Sequence, residues 1–175
     1  ELSQQSGWTA REILATVCVL YNNETDLFSN EHIRMAFDLA IDRTAVTTAA
    51  GAENRAATGL VPHGIPDAGE TEDDFRTTGG TLCAIDEESL GERQDKAREE
   101  LTFAGYYSNA MFPPIELLYV SGTENDAVAA LLQQTWSSVL SVNVMLHGVT
   151  QAEYESRMEE GNYELALKKV TALYD

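Results

Sequence analysis

From Ile115 onward the chain alternates short apolar, β-prone runs with segments of helical spacing, and this alternation constrains the fold more than any other feature. Ile115-Glu116-Leu117-Leu118-Tyr119-Val120, preceded by Pro113-Pro114, reads as a strand. Val128, Leu131, Leu132, Thr135, Trp136 and Val139 make one face of a helix opened by Thr123-Glu124-Asn125-Asp126. Val142-Asn143-Val144-Met145-Leu146-His147 alternates like a strand. Thr150-Gln151-Ala152-Glu153 is a capping box for a helix that ends at Gly161, and Tyr163-Glu164-Leu165-Ala166-Leu167 is the last strand. The order β-α-β-α-β with short connections predicts an α/β sheet with helices packed on it.

The first half is less regular. Residues 13–21 are β-branched and apolar and predict a mostly buried strand, Cys18 included, ending at Asn22-Asn23. Ser29-Asn30 caps a helix over about 30–42, whose stripe is Ile33, Ala36, Phe37, Ala40 and Ile41. Arg34, Asp38 and Asp42 fall off that stripe. A short second helix is expected near 44–50. Ser89-Leu90-Gly91-Glu92 reads as a capping box for a helix that reaches Phe103-Ala104 and stops at Gly105. Between these lies a long loop, about 51–81, broken by Gly51, Gly59, Pro62, Gly64, Pro66, Gly69, Gly79 and Gly80 and carrying acids at Glu70, Glu72, Asp73 and Asp74. Loops of this length inside a compact domain are functional or mobile.

Length and charge narrow the function. A chain of 175 residues is expected to form one domain, 1–175, that buries roughly 70% of its unfolded surface without disulfide or metal support. Its formal charge of −18 and its single adjacent basic pair, Lys168-Lys169, argue against nucleic acid and against an anionic membrane surface. The opening Glu1-Leu2-Ser3-Gln4-Gln5 has no basic and apolar leader pattern, and no apolar run approaches a membrane span. His32, His63 and His147 match no zinc spacing, and Asp73-Asp74 lacks a calcium-loop pattern. No cofactor is implied. There is no nucleophile elbow, phosphate loop or dinucleotide fingerprint, and Cys83 with His63 lacks an orienting acid, so the residues read as a binding module rather than an enzyme. His63 is the histidine retained as a candidate, because it lies in the long loop. Whether Cys18 and Cys83 pair is left open.

Six segments carry a resemblance. Glu31-His32-Ile33-Arg34-Met35-Ala36-Phe37-Asp38-Leu39-Ala40-Ile41-Asp42-Arg43 resembles the "Arg-x-Ala…Ala-Ile-Asp-Arg" helix of the family-5 extracellular solute-binding proteins, the peptide-, dipeptide- and nickel-type receptors of ABC importers. The strand ending at Asn22-Asn23, Thr58-Gly59-Leu60-Val61-Pro62, the run from Ala97 to Tyr106, that from Gln134 to Val144, and Gly161-Asn162-Tyr163-Glu164 follow in the family's order. The resemblance implies one lobe, the second, of a periplasmic-binding-protein-like two-lobe receptor, with a mixed sheet and packed helices, cut at its two hinge crossings. The missing first lobe and ABC permease subunits would be its partners. The whole receptor would be a monomer at the extracellular face or in the periplasm, held as a lipoprotein.

Ligand contacts carried over by this resemblance are Gly59, Val61, Pro62 and His63 in the loop, Asn125 at a helix start, and Val170, Thr171 and Leu173 in the exit strand. At that exit the family often has "Trp-x-Ala-Asp-Tyr"; here Val170 takes the Trp position and Leu173 the position of the acid that holds a peptide's α-ammonium. Leu167 and Met158 occupy positions where some members carry a base for the peptide carboxylate. The implied ligand is thus a peptide, another small solute or a metal complex. A ligand-sensing module of a transcriptional regulator is the alternative from another class.

Overall fold

The computed structural model describes residues 13–51, 53–67, 73–107 and 111–171. Four strands, β1 (Ala15–Tyr21), β2 (Ile115–Val120), β3 (Val144–Val149) and β4 (Leu165–Thr171), form one mixed sheet in the order β1-β4-β2-β3. β2 runs parallel to β3 and β4, while β1 is antiparallel to β4. The helices are α1 (Glu31–Leu39), α2 (Arg43–Ala50), α3 (Phe75–Thr78), α4 (Leu90–Phe103), α5 (Asn125–Leu140) and α6 (Gln151–Glu159).

The crossovers explain the layers. The chain leaves β2 through α5 to β3 on one side, then returns through α6 to β4 on the other side of β2. Crossovers that run in opposite directions with one handedness put their helices on opposite faces. The larger core accordingly holds Ile115, Leu117 and Tyr119 of β2 with Val128, Leu132 and Trp136 of α5 and Ile33 and Phe37 of α1. A smaller core under α6 joins Leu118, Val149, Tyr154 and Ala166. Alternate residues of β2 therefore serve both cores.

The α1 stripe is buried as its spacing predicts, and Asn30, Asp42 and Thr150 cap α1, α2 and α6 through their side-chain oxygens. Arg34 donates to the carbonyls of Phe28 and Ser29, and Asp38 pairs with Arg43. Several expectations are corrected. Ser89 stands at the N-cap of α4 as read, but its side chain makes no cap bond: its own amide donates to Asp86 Oδ1 at 2.8 Å, and its hydroxyl accepts from Arg93. The mostly buried strand at 13–21 is a sheet edge, where only Thr16 is buried and Cys18 is half-buried. β3 starts two residues later than its alternation suggested, because Val142 packs in the core before the ladder begins. β4 runs four residues further, to Thr171. Both cysteines are free thiols.

Candidate functional site

Three parallel strands end at one edge of the sheet, and antiparallel β1 begins there. In open α/β sheets this carboxyl edge is where ligands sit, since loops and helix N-termini converge on it. The register adds a projection. Leu118 of β2 pairs with Ala166 of β4, which sets Val120 level with Lys168. Lys169, Val170 and Thr171 run past the end of β2 with β1 as their only paired strand among the described residues, Thr16 opposite Val170 and Ala15 opposite Thr171.

The long loop folds back to this ribbon. A Cβ placed on Gly64, whose φ is +91°, would lie 2.8 Å from Leu14 Cδ2, one residue before β1. His63, Gly64, Leu14, Ala15 and Thr171 thus form one continuous neighbourhood. Val61, Pro62 and Gly59 are half-buried, so the side chains the turn offers to solvent are those of Leu60 and His63. Thr171 is exposed and Val170 half-buried. Leu173 lies outside the described residues, as do Glu70 and Glu72 of the loop.

Asn125 is at the same edge, opening α5 one strand further over. Its amide donates to Thr123 Oγ1 at 3.1 Å, and Asp126 Oδ2 accepts from the Gly122 amide at 2.7 Å. Near it, burial pushes the Tyr119 phenol above its usual value, with the Asp126 carboxylate adding to the effect. The Tyr119 ring overlies Gly148, where a Cβ would lie 2.9 Å from the phenol oxygen.

The loop is built rather than slack. Phe75 N donates to Ile65 O at 2.8 Å and Asp67 N to Asp73 O at 2.9 Å, a short antiparallel ladder invisible to periodicity. Asp74 ties it: Oδ2 accepts from Gly64 N and Oδ1 from Arg76 N, each at 2.6 Å. The Gly64 amide is the main reason its carboxyl ionises below the usual aspartate range; the Arg76 amide and His63, whose Nδ1 is 3.5 Å away, contribute less. Both Asp74 oxygens are therefore already engaged. Sequence reasoning missed Asp74 and Arg76 as the frame of this loop, because their partners lie 10 and 17 residues earlier.

Other sequence candidates resolve differently. His32 and His147 are structural, at 2.7 Å from Glu100 and 2.6 Å from Glu116 respectively, and Arg157 closes the second group by donating to Glu116 at 2.6 Å. Leu167 is buried and Met158 packs against the smaller core, so neither position could present a base to a ligand at the carboxyl edge. No hydrogen bond joins Cys83 to His63 among the described residues; the Cys83 amide instead donates to Thr58 O.

The comparisons agree with this architecture. The Haemophilus influenzae OppA complex with RPPGFSPFR has a TM-score of 0.78 at 23% identity over 91% of this chain and 30% of its own. The Escherichia coli murein tripeptide binding protein MppA gives 0.74 at 19% identity over 91% of this chain and 30% of its own. The Borrelia burgdorferi oligopeptide-binding protein OppAIV gives 0.74 at 21% over 97% and 31%. These likenesses establish the fold, and the chain spans about a third of the length of each structure. None of the curated proteins matches it. The profile described as bacterial extracellular solute-binding proteins, family 5 Middle, matches residues 4–175. With that profile spanning all the described strands and helices, the chain belongs to the family-5 bacterial extracellular solute-binding proteins, a family of binding proteins rather than enzymes.

Proposed function

We propose that residues 1–175 are one lobe of a two-lobe receptor that delivers peptides or similar small solutes to an ABC importer. The observation that carries this reading is the β1–β4 ribbon: the chain enters and leaves on neighbouring antiparallel strands, Ala15 opposite Thr171, at the edge where the loop and the start of α5 gather. The solved relatives are about three times as long; one is a complex with RPPGFSPFR and another is described as a murein tripeptide binding protein. Ligand lies between this edge and the other lobe, touching the 59–63 turn, Asn125 and the end of β4, and contacts made in both lobes favour the closed state. The whole receptor is a monomer, held at the outer face of the membrane as a lipoprotein, and meets permease subunits there.

Calorimetric titration with RPPGFSPFR and with a mixture of shorter peptides tests this. The full-length receptor is expected to bind saturably, and the 175-residue chain at least a hundredfold more weakly. Equal affinity in both would overturn the half-site reading. No binding of any peptide by the full-length receptor would overturn the peptide assignment.

A further inference from the structure

Arg76 is 6% exposed, yet it lies in the one-turn helix α3 inside the long loop and meets no carboxylate among the described residues. Its Nη2 donates to the carbonyl of Gly80, and its guanidinium lies 5.9 Å from the centre of the Phe75 ring. Its Nε has no hydrogen-bond partner among the described residues. A buried guanidinium left partly unpaired is costly, so the chain must gain something by keeping it. What it gains is visible at Gly59. A Cβ there would overlap Nη1 and lie 2.8 Å from Cζ, so the backbone of the turn packs directly against the guanidinium. A Cβ at Gly79 would lie 3.2 Å from Nη2. Just outside, Thr58 O accepts from both Leu82 N and Cys83 N and closes the loop's neck.

The turn is thus pinned twice by one short helix. Arg76 of α3 sits under Gly59 at its start, and Asp74, which caps α3, holds the Gly64 amide just past its end. Leu60, Val61, Pro62 and His63 are slung between these two points. We propose that Arg76 is the positioning residue of the ligand-binding turn, holding it preformed against α3; this rests on the binding role proposed above. A lysine cannot substitute, because a single ammonium cannot lie flat beneath Gly59 and reach Gly80 O together.

The test uses R76A and, should that chain not fold, G59A, which keeps the arginine but displaces it. Amide exchange of the 175-residue chain is expected to quicken about tenfold at Gly64, Leu82 and Cys83, with the β2 and β4 amides unchanged. Methylguanidinium, which refills the space in R76A, restores protection. In the full-length receptor R76A weakens RPPGFSPFR binding about tenfold, and methylguanidinium recovers it, which a residue serving stability alone would not do. Unchanged exchange in the variants overturns the proposal, and so does faster exchange with unchanged affinity. If the wild-type receptor binds no peptide, the functional reading fails while the exchange result still decides whether Arg76 pins the turn.

Discussion

The indole Nε1–H of Trp136 donates to the backbone carbonyl of Phe37 at 2.9 Å, and the two rings lie 5.1 Å apart. This joins α5 to α1 at the centre of the larger core, where Trp136 is wholly buried. Trp136→Phe removes the donor, leaves the Phe37 carbonyl without this partner and opens a void. The expected cost is about 3 kcal/mol, which lowers Tm by about 10 °C for a chain of this size. Calorimetric melting checks it, and a loss below about 1 kcal/mol would mean the bond adds nothing beyond burial.

Asp74 predicts an acid-sensitive loop. Its carboxyl ionises more readily in the folded chain than in the unfolded one, chiefly through the Gly64 amide. The stabilisation is therefore complete above the unfolded value of about 3.9 and is lost as pH falls through the lower folded value. Limited proteolysis with pepsin across pH 2–4 should show cleavage between residues 59 and 80 rising as pH falls. Asp74→Ala at pH 7 should make the same region several-fold more sensitive to a neutral protease. Equal cleavage of variant and wild type would remove Asp74 from the frame.

Tyr154 predicts the opposite limb. Its hydroxyl donates to Leu167 O at 2.7 Å, and burial raises its pKa from 10 to about 12. The neutral phenol is the form the fold favours, so its contribution is complete below pH 10 and disappears as pH rises towards 12. Tyr154→Phe should cost about 1 kcal/mol at pH 7 and should flatten the loss of stability between pH 10 and 12. Urea titrations at pH 7, 10 and 11 read both effects. A variant with the wild-type alkaline slope would assign that slope to other tyrosines.

What the sequence revealed follows the range of the forces involved. The α1 stripe and the caps at Asn30 and Thr150 rest on residues within one turn of each other and were legible, whereas Asp42, read as the end of a helix over about 30–42, instead caps α2 after α1 has ended at Leu39. Ser89 misled because Asp86, three residues earlier, takes its amide first. Glu100 of α4 is buried against His32 of α1, a partner 68 residues away that no local pattern announces. The site divides in the same way. The 59–63 turn and the start of α5 could be named from a family pattern. Arg76 beneath Gly59 could not, because nothing local announces a contact between residues 17 apart that depends on how the loop closes.

β1 and β4 also set an order of events. Cys18 faces Lys168 at a separation of 150 residues, so among the described strands the earliest made is paired by the latest. During synthesis β1 leaves the ribosome long before its partner exists, and closing so distant a pair comes late and slowly. Until then its backbone groups, with Val17 and Val19 beside them, are an open template for any other extended chain. Yield of the 175-residue chain from cells should therefore depend on holdase chaperones more than its length suggests.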